Sequence, residues 1–120
     1  LYELAEKHID NQSYDKSLKL LKKLTKREDL GTKRADIYNL LGFSYRKLEN
    51  PDLDKSFAAY MMAIEIDPSH LGAHEYLGEL YLMRDQKDKA VIILKKLDQL
   101  AGSNTEEYKE LKIAIDAYQS

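Results

Sequence analysis

Leu41-Gly42-x-x-Tyr45 returns as Leu77-Gly78-x-x-Tyr81, with Gly42 and Gly78 36 residues apart. Ser56, Tyr60, Ala63 and Pro68 return 34 residues later as Ala90, Leu94, Leu97 and Gly102. A chain that repeats itself at such a period is built from copies of one supersecondary unit. Within each copy, apolar residues fall at i, i+3 and i+4, the spacing of a helix face. The polar runs Asn50-Pro51-Asp52 and Arg84 to Asp88 break that spacing, so each copy reads as two helices folded back into an αα-hairpin. The two-residue difference between the periods falls at Asn50-Pro51, in a turn, where insertions cost little.

A truncated copy comes first. Leu1, Leu4, Ala5, His8 and Ile9 form one stripe of a helix over 1–11, and Asn11-Gln12-Ser13 is a turn with Ser13 as N-cap. The next helix, 14–27, places Tyr14, Ser17, Leu18, Leu20, Leu21 and Leu24 inward, and the copy aligns through Ala5, Ser17, Leu21 and Leu24. Glu28 to Lys33 connects it to a hairpin from Arg34 to Asp67, and the third hairpin closes at Ala101-Gly102. A last helix over 105–118, capped by Ser103 or Asn104, shows Tyr108, Leu111, Lys112, Ile115 and Tyr118 on one side as a terminal cover. The reading is one all-α domain over 1–120: repeats at 1–29, 35–68 and 71–102, and a capping helix at 105–118.

Composition narrows the function. Charged residues are 33% and apolar residues 43% of the chain, a mixture that packs helices rather than staying disordered. A net charge of −2 gives no global field to recruit nucleic acid or an anionic membrane. No apolar run reaches the roughly 18–20 residues a transmembrane helix needs. The absence of cysteine removes disulfide and thiolate chemistry. Leu1 lies inside a helical stripe without an initiator methionine, which reads as a fragment or processed product, so the lack of a signal peptide does not place the protein in the cytoplasm.

The period of 34, with Leu-Gly-x-x-Tyr in the first helix, Ser56 and Ala90 as small residues in the second, and Pro68 at the close, resembles the tetratricopeptide repeat. Tyr38 and His74 stand where that family has its first aromatic, and Gly102 replaces the closing proline. Glycine lets helices cross closely, and the tyrosine fills the space beside it. The resemblance implies a right-handed superhelix whose first helices line a concave groove. Its groove-facing residues are then Tyr2 and Glu6, next Asn39, Leu40, Phe43, Arg46 and Lys47, and finally Glu75, Tyr76, Glu79, Leu82 and Met83. Such a surface suits an extended peptide or partner helix. Members that grip a terminal carboxylate do so with lysine, asparagine and arginine; here Tyr2, Glu6, Leu40, Gly72 and Tyr76 stand at those places, so no carboxylate clamp is expected. Glu75 and Glu79 favour a basic or neutral apolar ligand instead. A narrower likeness runs from Gly72 to Glu79 and through Glu106-Glu107-Tyr108-x-x-Leu111-Lys112 to small stand-alone proteins of Gram-negative bacteria. Those are often exported. That leaves periplasmic and cytoplasmic compartments both open, leaning to export.

Other features carry less. His70 and His74 are four apart beside Glu75 and Glu79, but no third ligand stands at a compelling spacing, so neither metal nor cofactor is expected. Lys16, Lys19, Lys22, Lys23, Lys26 and Arg27 read as the solvated face of a surface helix. No cysteine nucleophile, phosphate-cradling glycine loop or nucleophile elbow is present, and Glu106-Glu107 falls on an exposed first turn. The chain is expected to be a non-catalytic binding module for a peptide or helix of a protein partner. The alternative is a scaffold that self-associates through its N-terminal helix face.

Overall fold

The computed structural model describes residues 1–119. These residues form seven α-helices and no strand, grouped into two compact units, 1–68 and 69 onward. In the first unit α1 (Tyr2–Asp10) pairs with α2 (Tyr14–Leu24) and α3 (Lys33–Lys47) with α4 (Leu53–Ile66), while α2 packs on α3. In the second, α5 (Leu71–Met83) pairs with α6 (Lys87–Ala101), and α7 (Glu106–Ala117) packs on both. The fold is all-α, built of helix hairpins.

Most of the apolar spacing read from the sequence is buried; on α1, however, only Ala5 is enclosed, and Leu1 and Leu4 of the same stripe are exposed. Ala5, Leu18, Leu21, Leu24, Ile37, Leu41 and Ala59 make the core of the first unit. Leu82, Ala90, Leu97, Leu111 and Ile115 make that of the second. Each fully enclosed leucine contributes roughly 1.5–3 kcal/mol through removal of apolar surface from water. The small residues Ser17, Ser56 and Ala90 are wholly buried, where a larger side chain would hold two helices apart.

The buried serine hydroxyls at these crossings are partnered. Ser56 Oγ donates to the Gly42 carbonyl at 2.7 Å. Ser17 Oγ donates to the Tyr14 carbonyl at 2.9 Å and lies 2.7 Å from Ser44 Oγ. Having spent its proton on Tyr14, Ser17 accepts that of Ser44. The glycines differ in what they admit. A Cβ on Gly42 would stand 2.7 Å from the Tyr60 ring and 3.1 Å from the Ser56 carbonyl, both on the paired helix α4. One on Gly78 would stand 2.6 Å from Leu111 of α7, so the nearest neighbour for which the third hairpin's glycine makes room is the last helix.

Helix ends depart from the spacing in three places. The second helix stops at Leu24 rather than 27: Lys26 and Arg27 donate to carbonyls only three residues back, and Arg27 then turns to Asp29. Ser13 stands at the N-cap of α2 but makes no side-chain cap bond. Thr105, not Ser103 or Asn104, caps α7, its Oγ1 accepting from Tyr108 N–H at 3.2 Å. The turns that close α1 and α5 are the same motif. Gln12 and Asp85 both adopt positive φ, 58° and 62°. Ser13 N–H donates to His8 and Gln86 N–H to Tyr81, the crossed pattern of a left-handed helix stop.

Candidate functional site

The first helices of the hairpins carry the residues singled out from the sequence, and each unit presents its own set. On α3, Asn39, Phe43, Arg46 and Lys47 follow one stripe at i, i+4, i+7 and i+8. Phe43 is its centre. The Arg46 guanidinium lies 5.3 Å and the Lys47 ammonium 5.6 Å from its ring centre, and Tyr14 of α2 meets it edge-on at 6.1 Å. Arg46 and Asn39 are buried, Phe43 is half-buried and Lys47 is exposed. The Asn39 side-chain oxygen Oδ1 is enclosed with no hydrogen-bond donor.

On α1, Tyr2 and Glu6 lie four residues apart, Tyr2 half-buried and Glu6 exposed. The Tyr2 hydroxyl is pushed up to about 12, first by burial and then by the negative charges of Asp36, Glu6 and Glu3. Lys33 sits 5.2 Å over the Tyr2 ring and 3.8 Å from Glu3. The structure thus joins the α1 residues to the start of α3, a proximity that spacing along the sequence did not reveal. Leu40, also expected on this face, is half-buried among the core residues.

In the second unit, Glu75, Tyr76 and Glu79 are half-buried on α5, Met83 is exposed and Leu82 is part of the core. Glu75 and Glu79 are hydrogen-bonded through their side chains, and Glu75 is pushed up to about 9. Burial is the main cause; the bond to Glu79 and its charge follow, then Glu107 and Glu110. A carboxyl that keeps its proton near neutral pH is a donor as well as an acceptor. The involvement of α7 in this acidic face was invisible to the sequence, because it depends on how α7 crosses α5.

His70 and His74 are both engaged in helix structure. His70 caps α5, its Nδ1 accepting from Ala73 N–H at 3.0 Å, and His74 Nδ1 lies 2.7 Å from the His70 carbonyl. Among the described residues no group of three or more histidine, aspartate and glutamate side chains is placed to hold a metal. No helix among them is long and apolar enough to cross a membrane. The cations from Lys16 to Arg27 are all exposed, and Lys22 lies 5.6 Å over the Tyr45 ring.

No protein-family model matches the chain. It is similar to three curated proteins. Tetratricopeptide repeat protein 37 of Xenopus laevis is 32% identical over 120 residues, covering 96% of this chain and 7% of that protein. ETO1-like protein 2 of Arabidopsis thaliana is 28% identical over 109 residues, 91% of this chain and 11% of that one. The uncharacterized protein ycf37 of Porphyra purpurea is 38% identical over 72 residues, 58% of this chain and 39% of that one. The chain therefore spans only a small part of the relatives it matches. In sequence repeat, in helix pairing and in these relatives, it resembles the tetratricopeptide repeat proteins.

Proposed function

We propose that the chain is a non-catalytic protein–protein interaction module, meeting a peptide or helix of its partner on the first helices of its hairpins. In this reading 1–29, 35–68 and 71–102 act as successive repeats and 105–118 as their cover. The observation that carries it is Phe43: a half-buried ring set between Tyr14, Arg46 and Lys47. Aromatic and arginine side chains are enriched at the cores of protein interfaces. Arg46 is buried against this ring and the exposed Lys47 lies over it, while Asn39 is buried one turn earlier on α3 and Glu6 stands exposed on α1. Glu75 and Glu79, with Tyr76 and Met83 alongside, favour a basic or neutral segment. The test is selection of peptides from a random library on the protein, followed by affinity measurement on Phe43→Ala. Enriched peptides should bind at least tenfold more weakly to the variant. Failure to enrich any peptide, or indifference to Phe43→Ala, would remove the reading.

Exposed Leu4 on α1, 45% accessible, supports a second reading, self-association through the N-terminal helix. Light scattering across a wide concentration range decides it. A dimer abolished by Leu4→Glu would put assembly first; a monomer throughout would leave the first-helix faces.

A further inference from the structure

Cations gather at one end of the first unit. Lys22 and Lys23 stand in the last turn of α2, Lys26 and Arg27 follow in the connector, and Lys33 and Arg34 open α3. The helix dipole accounts for the first pair, since it favours positive charge at a C-terminus. It disfavours the last pair, at an N-terminus. Lys33 turns to Glu3. Arg34 and Lys26 have no carboxylate partner among the described residues, so local pairing does not explain them.

Three of these cations, Lys26, Arg27 and Arg34, line a polar cleft of about 420 Å³ together with Thr25 and Glu28. Both guanidinium groups are restrained. Arg27 is gripped by Asp29 through two hydrogen bonds, Nε at 3.0 Å and Nη2 at 2.8 Å. Arg34 lies 5.9 Å from the Tyr38 ring centre. Restrained arginines lose less freedom on binding and suit the paired oxygens of a carboxylate or phosphoryl group. The cleft lies where the chain has most room for it. The connector 25–32 is eight residues, against four at 67–70 between α4 and α5. Binding groups concentrate on such loops.

We propose that this cleft binds an oxyanion carried by a protein partner, either the carboxylates of an acidic segment or the phosphoryl group of a phosphorylated serine. Glu28 in its lining and Asp29 bound to Arg27, with the net charge of −2, oppose a long polyanion such as nucleic acid and leave room for a few anionic groups only. The proposal is independent of the first-helix reading.

Fluorescence anisotropy on the full chain tests it, with a glutamate-rich peptide, a phosphoserine peptide and a neutral glutamine peptide as probes. Arg27→Ala with Arg34→Ala removes two cations from the cleft, and Lys16→Ala with Lys19→Ala removes two from elsewhere on α2. All four residues are exposed, and circular dichroism checks that both variants stay helical. Saturable binding of an anionic peptide should weaken at least tenfold in the arginine variant and less than twofold in the lysine variant. Whether phosphoserine or glutamate binds more tightly identifies the oxyanion. Absence of saturable binding, equal losses in the two variants, or tighter binding of duplex nucleic acid or anionic vesicles than of either peptide would overturn it.

Discussion

Ser56 hands its hydroxyl proton to the carbonyl of Gly42 across the α3–α4 crossing, at 2.7 Å, with both residues buried. The bond can form because Gly42 has no side chain to hold α4 away, and because Ser56 is small enough to sit in the space left. Removing the hydroxyl in Ser56→Ala should lower stability by about 1 kcal/mol. Gly42→Ala should lower it further, by about 2 kcal/mol, because its methyl group meets a buried ring and a backbone carbonyl. Gly78→Ala should be milder, since there the obstacle is the leucyl side chain of Leu111. Urea unfolding of the three variants gives the order.

The two left-handed helix stops lack the residue best suited to them. Gln12→Gly and Asp85→Gly should each stabilise, by about 1 kcal/mol, because glycine adopts positive φ without steric penalty. The gain at Asp85 should be the larger, since its carboxylate also opposes the negative end of α5. Thermal melts of the single variants would show both shifts.

Stability should depend on pH through Glu75. Its folded value of about 9 lies above the ordinary 4.5, so the folded state holds the proton where the unfolded state has released it. Stability therefore falls as pH rises between those two values. Glu75 is only half-buried, and solvent screening reduces the effect to about 1–2 kcal/mol. Glu75→Gln should flatten the decline in melting temperature between pH 6 and pH 9. An equally steep decline in the variant would assign it to other groups.

The first turn of α5 hangs on an imidazole. His70→Ala should cost about 1 kcal/mol, and His70→Asn or His70→Asp should recover most of it by accepting the same Ala73 N–H. Hydrogen exchange at Ala73 would report the loss locally.

The hairpins were legible in the sequence because their signals are local. Leu41, Gly42 and Tyr45 repeat as Leu77, Gly78 and Tyr81, and the buried faces follow helical spacing. What was not legible depends on neighbours remote in sequence or on unusual backbone. Gln12 and Asp85 carry no mark of positive φ, which glycine would have signalled. Thr105, rather than Ser103 or Asn104, caps α7, because three neighbouring residues can all cap and only the chain path chooses. Gly78 looks equivalent to Gly42, yet faces α7. The residues singled out, from Tyr2 to Met83, lie on α1, α3 and α5. That Asn39 and Arg46 lie buried while Lys47 stays open follows from packing that periodicity alone does not resolve.

The hydroxyl pair of Ser17 and Ser44 has a consequence for how α2 meets α3. Two alanines there would fill similar space and tolerate a slide of one helix along the other. Two hydroxyls do not: displaced by a single residue, Ser17 would keep its bond to Tyr14, but Ser44 would lose its acceptor in a place water does not reach. The pair therefore works as a locating pin, adding little to the strength of the joint but admitting only one alignment of its parts.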